Sequence, residues 1–188
     1  TTEIYTLSLH DALPIFQKRI GRNDGRYLQL TSRKELYHLI MFAAFGNPRL
    51  FFDLIDEQML LEKYTVNNVK WVIKNFVSNK IWVYFRDAAR SPIFEPYMQI
   101  GERLIREIVI PVLLKDPGRS KSEKQARIYF AVPEIDYAKS RQIQLIFEYL
   151  QFGGIIADRG KYDLGHGHYG RIYAINLAIA ISENIIGS

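Results

Sequence analysis

The sequence predicts a mainly α-helical chain that ends in a smaller unit of mixed helix and strand. Through most of residues 31–115, apolar residues recur at spacings of three and four, which is the period of an amphipathic helix. Beyond residue 127 the period shortens to two, and glycine-rich segments follow, which favours strands and a hairpin. We therefore expect helices first and an α+β unit last.

The composition of the 188 residues is that of a globular protein, with 48% hydrophobic and 24% charged residues. The chain has no cysteine, which excludes disulfides, thiol catalysis and cysteine-ligated zinc, and fits a reducing, cytoplasmic location. No apolar run approaches the roughly 18 residues that a transmembrane helix needs, so we expect no membrane partner. The net charge of +5 indicates an anionic partner.

Residues 1–15 form a segment that we interpret as artefactual. They read TTEIYTLSLHDALPI, and this string resembles the in-frame translation of a universal short-read sequencing adapter. We expect the natural segment to begin near Phe16, with its true beginning missing. Without Glu3 and Asp11, 25 basic and 18 acidic residues remain, a net charge of +7 over 173 residues.

The pattern after residue 30 predicts two helices joined by a tight corner. Ser32 and Glu35 have the spacing of a capping box, which predicts a helix start. Gly46 predicts the end of that helix, because glycine enters the left-handed conformation without steric cost. Asn47 is a suitable N-cap for a second helix with Pro48 at its first position. The predicted buried stripes contain Leu36, Leu39, Ile40, Ala43, Phe51, Leu54, Ile55 and Met59.

Two longer helices are predicted next. Thr65 is a plausible N-cap for the first, and Trp71 and Trp82 widen its apolar stripe, which predicts packing on two sides. After a break at Ser91 the second helix follows, and Pro111 is predicted to end or kink it. The predicted stripes contain Val69, Ile73, Phe76, Val77, Ile81 and Phe85 in the first helix, and Tyr97, Ile100, Leu104, Ile105 and Ile108 in the second.

The C-terminal pattern predicts a strand, a helix, a hairpin and a last helix. Alternating residues 128–133 predict the strand, and the helix after Lys139 is expected to bury Ile143, Ile146, Phe147 and Leu150. We expect strands at 155–157 and 171–175, separated by a long mobile tip, and a helix capped by Asn176 that runs through Ile185. This order is typical of a winged-helix domain.

The order of FQKRI, a capped helix and AAFGNPRLFFDLI resembles the lid subdomain of AAA+ ATPases, especially bacterial origin-recognition-complex-like and STAND-like members. In that family the arginine of such a turn reaches the γ-phosphate of ATP. The resemblance therefore implies that Arg49 is the sensor-2 residue, with Asn47 beside the nucleotide. The family also commonly places a winged helix after its lid. The equally simple interpretation is that GNPR connects two helices and exposes an arginine.

The combined interpretation divides the chain into five parts. They are an adapter translation (1–15), a lid-like part (16–64), connecting helices (65–115), a linker (116–126) and a winged-helix domain (127–188).

Features needed for ATP hydrolysis are missing from the sequence. Gly21 and Gly25 are four residues apart instead of the five of a P-loop, and Arg26 follows where lysine belongs. Asp53 continues a predicted helix and does not end a strand. We expect this chain to be catalytically inactive and the intact parent to bind ATP and magnesium through an upstream nucleotide-binding domain.

A winged helix that binds DNA needs basic and amide side chains on its recognition helix and on its hairpin. Two histidines in the hairpin, His166 and His168, lack a third ligand, so we expect no metal. Gln142 and Gln144 are the predicted base readers, and the cations are predicted to contact phosphates. The predicted DNA-binding residues are Lys139, Arg141, Gln142, Gln144, Arg159, Lys161, His168 and Arg171.

Two classes of function stay open on the sequence. One is the lid and winged-helix part of an ATP-dependent AAA+ protein that couples nucleotide state to DNA or protein contact. The other is a stand-alone winged-helix regulator or protein-interaction adaptor without nucleotide chemistry.

Overall fold

The computed structural model describes residues 32–58, 60–87, 92–115, 128–165 and 168–186. These residues are mainly helical and contain one three-stranded antiparallel sheet, which confirms the predicted α-rich class with a small α+β part. They fall into two compact units, one ending at Ile73 and one beginning at Lys74. The predictions for 1–15, 16–31, Met59, Ser91, 116–126 and His166 lie outside the described residues.

The described helices and strands are as follows in chain order. The helices are α1 (Lys34–Ala43), α2 (Pro48–Gln58), α3 (Val66–Phe76), α4 (Trp82–Asp87), α5 (Glu95–Arg103), α6 (Ile110–Lys115), α7 (Glu134–Ala138), α8 (Arg141–Phe152) and α9 (Leu177–Ser182). Two π-helical segments, Val77–Ile81 and Leu104–Val109, join α3 to α4 and α5 to α6. The strands are β1 (Tyr129–Pro133), β2 (Ile156–Gly165) and β3 (His168–Ile175).

The first helix begins later than predicted. Its N-cap is Arg33, which makes no side-chain capping bond. The Arg33 guanidinium instead donates to the backbone carbonyl of Tyr64. The predicted capping box of Ser32 and Glu35 is therefore wrong, because Ser32 lies one residue before the N-cap position.

The corner between α1 and α2 confirms its prediction. Phe45 and Gly46 both have positive φ angles, 52° and 75°. The Asn47 side-chain oxygen accepts hydrogen bonds from the backbone N–H groups of Arg49 (3.0 Å) and Leu50 (3.3 Å). These two bonds satisfy amides that the first turn of a helix otherwise leaves unpaired. The chain around Asp53 is helical, as expected.

The helix α3 starts at the predicted cap, since Thr65 Oγ1 accepts a hydrogen bond from the Asn68 backbone N–H (3.2 Å). Trp82 is buried as predicted, at 1% exposure, but Trp71 is 62% exposed. Trp71 precedes the buried Ile73 by two residues, which is about 200° of helical rotation, so it faces the opposite side. The prediction of a widened stripe is therefore wrong for Trp71.

The helix α5 buries a different row from the predicted one. Ile105 is buried as expected, but Ile100 and Ile108 are more than half exposed. The buried row passes through Gly101, where an added Cβ would lie 3.3 Å from Leu150 Cγ. A sequence pattern of large apolar residues misses this contact, because the close approach of α8 depends on the absence of a side chain at Gly101.

Pro111 does not end the helix, which continues to Lys115.

The sheet has the strand order β1-β3-β2, with both neighbouring pairs antiparallel. Burial alternates along β1 as predicted. The Tyr173 ring on β3 stacks on Phe147 of α8, with ring centroids 4.8 Å apart, and on Phe130 of β1 at 5.7 Å. These aromatic contacts hold α8 against the inner face of the sheet.

Between β1 and α8 lies the short helix α7, which was not predicted. The predicted start of the next helix at Lys139 is two residues early, because Ser140 is the N-cap and its Oγ accepts from the Gln142 N–H (3.2 Å). The helix ends at Gly153 and Gly154, as predicted. Gly154 has a φ of 68°, and the Ile155 N–H bonds to the Leu150 carbonyl (2.9 Å), which is a Schellman motif.

The predicted long tip of the hairpin is wrong, because β2 extends to Gly165 and β3 begins at His168. Bulges interrupt the ladder between Asp158 and Lys161 and between Asp163 and Gly165. The glycines that indicated a loop belong to these irregularities and have positive φ angles, 96° at Gly160 and 91° at Gly165.

The last helix confirms its cap and corrects its end. Asn176 is buried, and its side-chain oxygen accepts from the Ala178 N–H (2.8 Å). The α9 helix ends at Ser182, not at Ile185.

Candidate nucleic-acid interface

The eight predicted DNA-binding residues lie on two parts of the C-terminal unit. Four lie at or near the start of α8, and four lie on the hairpin of β2 and β3. Lys161 and Arg171 are paired across the hairpin, so their side chains share one face. In each group, some side chains are bound to acidic or carbonyl groups of the protein itself, and others are not.

Arg171 is held by three groups. Its Nε lies 3.4 Å from Glu134 Oε2, its Nη1 lies 3.3 Å from Asp158 Oδ2, and its Cζ lies 4.4 Å from the Tyr137 ring centroid. Partial burial acts to lower the pKa of Arg171, but electrostatic interactions with Tyr137, Glu134, Tyr173 and Asp158 raise it, and the net shift is upward. Arg171 therefore ties α7 to the hairpin as a permanent cation.

Lys161 has one partner of its own, Glu134, with 3.2 Å between Nζ and Oε1. The lysine side chain is 63% exposed. Ion pairs that are this exposed contribute about 0–1 kcal/mol, so solvent or another anion can replace the carboxylate.

The cations at the start of α8 and two residues before it are also paired. Lys139 Nζ lies 2.9 Å from Asp136 Oδ1. Arg141 makes a two-bond contact with Glu148, at 2.8 and 3.2 Å. Gln144 accepts from Arg141 and donates its amide to the Tyr137 carbonyl (3.4 Å). Gln144 is therefore a tie between α7 and α8 in this structure, although the sequence predicts a base reader.

Three predicted residues stay exposed without a side-chain hydrogen bond or ion pair to another described residue: Gln142, Arg159 and His168. Arg159 lies in the first bulge, where the Asp158 carboxylate accepts from the Gly160 N–H (2.7 Å). This turn leaves Arg159 outside the regular ladder and directed at solvent.

The residues that sequence reasoning missed are the acidic partners. Glu134 and Asp158 neutralise the hairpin, and Asp136 and Glu148 neutralise the cations around α8. One local pattern could have indicated that Asp158 lies in a turn. Asp-x-Gly occurs at 158–160 and at 163–165, and in both the aspartate accepts a hydrogen bond from the glycine N–H. The position of Glu134 depends on the pairing of distant strands, which no local pattern reveals.

The predicted nucleotide-binding residues lie at the α1–α2 corner. Arg49 is exposed in the first turn of α2, where the helix dipole favours an anion, although the N–H groups of Arg49 and Leu50 are already bonded to Asn47. The side-chain oxygen of Asn47 caps the same helix. In this structure Asn47 therefore supports the helix start, and Arg49 is the residue that could reach a nucleotide.

No group of three His, Asp or Glu side chains that could hold a metal occurs among the described residues. A helix with the length and apolar character to cross a membrane is likewise absent from the part of the chain described here. Comparison with protein-family models, curated proteins and solved structures found no match to this chain.

Proposed function

We propose that the C-terminal unit is a winged-helix module that binds DNA, with α8 as its recognition helix and the β2–β3 hairpin as its wing. The order β1, α7, α8, β2, β3 and the antiparallel sheet β1-β3-β2 support this assignment. The observation that carries it is the exposure of Gln142 at the start of α8 together with Arg159 on the hairpin. An amide can read a base edge, and an unpaired guanidinium suits a phosphate.

We also propose that this module belongs to an ATP-dependent AAA+ protein, with the lid in 16–64 and the nucleotide domain upstream. The geometry of the Gly46–Arg49 corner supports the lid assignment, since Asn47 and Pro48 present Arg49 in a first helical turn. ATP and magnesium would then act in the intact parent. Calorimetry of this chain with ATP and magnesium is expected to give no tight binding, and micromolar binding would contradict the need for an upstream domain.

The DNA proposal is tested by measuring duplex binding against salt for the wild type and for Arg159→Ala, Gln142→Ala and Arg103→Ala. Loss of Arg159 is expected to weaken binding to all DNA sequences alike. It is also expected to reduce the slope of log binding constant against log salt concentration by about one, as for a single phosphate contact. Loss of Gln142 is expected to reduce discrimination between sequences by about 1–3 kcal/mol.

Arg103→Ala is the matched control, because Arg103 is an exposed arginine of the same unit that lies on α5 and pairs with Glu107. Salt-insensitive binding by the wild type would contradict the proposal. So would an Arg159→Ala protein that behaves like Arg103→Ala.

A protein-binding adaptor is the second candidate. It is favoured by the internal pairing of Lys139, Arg141, Lys161 and Arg171, which lowers the local charge. It is also favoured by the exposed Ile135 and Phe152 on α7 and α8. Failure of the DNA test would leave this candidate as the better one.

A further inference from the structure

We infer that Glu134 is an internal competitor of DNA for Lys161, so that binding exchanges the carboxylate for a phosphate at the lysine. The inference rests on the proposed DNA-binding function and assigns a regulator to the same site. Glu134 is the first residue of α7 and directly follows β1. Its Oε1 lies 3.2 Å from Lys161 Nζ, and its Oε2 lies 3.4 Å from Arg171 Nε.

The two cations that contact Glu134 differ in how firmly they are held. Lys161 pairs with Glu134 alone among the described carboxylates, and its side chain is 63% exposed. Arg171 contacts Glu134, Asp158 and the Tyr137 ring, and its side chain is 28% exposed. A flexible ammonium with one partner can move to a phosphate, whereas a guanidinium held on three sides stays in place.

The exchange leaves no acidic group without a cation. When Lys161 moves away, Glu134 still contacts Arg171 through Oε2. The usual cost of breaking a partly buried pair, which is a carboxylate left without a cation, is therefore reduced, although Glu134 Oε2 and Arg171 Nε make an ion pair and not a hydrogen bond. Arg171 acts here as a positioning residue that keeps Glu134 in place before and after the exchange.

The position of Lys161 connects this exchange to the DNA surface. Arg159 lies in the bulge of β2, and Lys161 is the first residue after that bulge that pairs with β3 again. Its partner there is Arg171. A phosphate backbone that follows the hairpin past Arg159 therefore passes the Lys161–Glu134 pair. Its negative charge competes there with a carboxylate at the same cation.

The experiment measures affinity for a random-sequence DNA duplex by fluorescence anisotropy over a range of salt. The proteins are the wild type, Glu134→Gln, Lys161→Ala, the double variant and Glu107→Gln. Glu107→Gln is the matched control, because it makes the same charge change and also releases an exposed cation, Arg103, on another helix. Circular dichroism checks that each variant is folded.

Glu134→Gln is expected to bind about two- to fivefold more tightly than Glu107→Gln, the range of an exposed ion pair. The gain should disappear in the double variant. The loss caused by Lys161→Ala should be larger in the Glu134→Gln background than in the wild type, because the lysine is no longer shared.

The inference is overturned if Glu134→Gln binds no more tightly than Glu107→Gln, or if the gain survives removal of Lys161. Either result, obtained with salt-dependent binding that Arg159→Ala weakens, leaves the DNA proposal intact. If neither the wild type nor Glu134→Gln shows salt-dependent binding, both the exchange and the DNA proposal fail.

Discussion

The Phe85 ring lies so close to Gly153 that a Cβ at position 153 would clash with its Cδ2 atom. Gly153 is the C-cap of α8, and Phe85 is a buried residue of α4. The backbone of Gly153 has an ordinary helical φ of −75°, so the contact, and not the backbone conformation, requires glycine here.

Gly153→Ala is therefore expected to lower the free energy of unfolding by about 2–3 kcal/mol, as overpacking of a core does. Gly154→Ala is the matched comparison. Gly154 has a φ of 68° and open space around its Cα, so alanine there is expected to cost about 1 kcal/mol of backbone strain. Urea unfolding of both variants measures the difference, and equal losses would contradict the proposed contact.

The buried cap of α9 predicts a second difference in stability. The Asn176 side chain accepts from the Ala178 N–H (2.8 Å) and donates to the Gly154 carbonyl (2.7 Å). Asn176→Ala removes both bonds inside the core and is expected to cost about 2–3 kcal/mol. Ser140→Ala removes the exposed cap of α8 and is expected to cost about 0.5–1 kcal/mol. Similar costs for the two variants in urea unfolding would argue against a buried double role of Asn176.

The burial of the Tyr173 hydroxyl group leads us to expect a loss of stability at high pH. Burial, assisted by Tyr137 and Asp158, raises the pKa of Tyr173 far above its ordinary value of 10.0. The folded state therefore requires the neutral phenol, and its contribution is complete below pH 10. That contribution is lost as the pH rises further, by at most about 1.4 kcal/mol per pH unit.

The check on Tyr173 is urea unfolding between about pH 8 and about pH 11. Tyr173→Phe should show a smaller loss of stability than the wild type above pH 10, with a change within about 1 kcal/mol at neutral pH. Tyr162→Phe, at an exposed tyrosine of β2, should follow the wild type. A Tyr173→Phe profile that also follows the wild type would contradict the buried phenol.

The two tryptophans differ in exposure, so we expect their fluorescence to respond differently to a quencher in the solvent. Trp71 is 62% exposed, whereas Trp82 is buried and its ring is covered by the Arg106 guanidinium at 4.4 Å. Iodide is expected to quench mainly Trp71, so Trp71→Phe should remove most of the quenching and shift the emission to shorter wavelength. Trp82→Phe should leave the quenchable signal in place, and strong quenching of Trp82 would show that its burial is wrong.

Sequence reasoning succeeded where the decisive interaction is local. The caps formed by Asn47, Thr65 and Asn176 each join a side chain to an amide two or three residues later, so the spacing alone predicts them. The alternation along β1 likewise needs no knowledge of its partner strand.

It failed where a distant segment decides the local structure. The buried face of α5 is set by the approach of α8 to Gly101, which a search for large apolar residues passes over. In the hairpin, Gly160 and Gly165 indicate a loop by composition, but cross-strand pairing with β3 keeps the chain extended around them. The candidate site was predicted as a set of cations, while the carboxylates that hold most of them depend on the fold.

The π-helical segment Leu104–Val109 is in effect an α-helix with one residue inserted, since the Ile110 N–H bonds to the Ile105 carbonyl five residues back. Deletion of one residue there could restore a regular helix without rotating Leu113 relative to Met98. Deletion elsewhere in an α-helix turns all later side chains by about 100°. With Pro111 retained, however, the regular helix would press the proline ring against the carbonyl four residues earlier. Removal of the extra residue is therefore expected to destabilise this helix unless Pro111 is replaced as well.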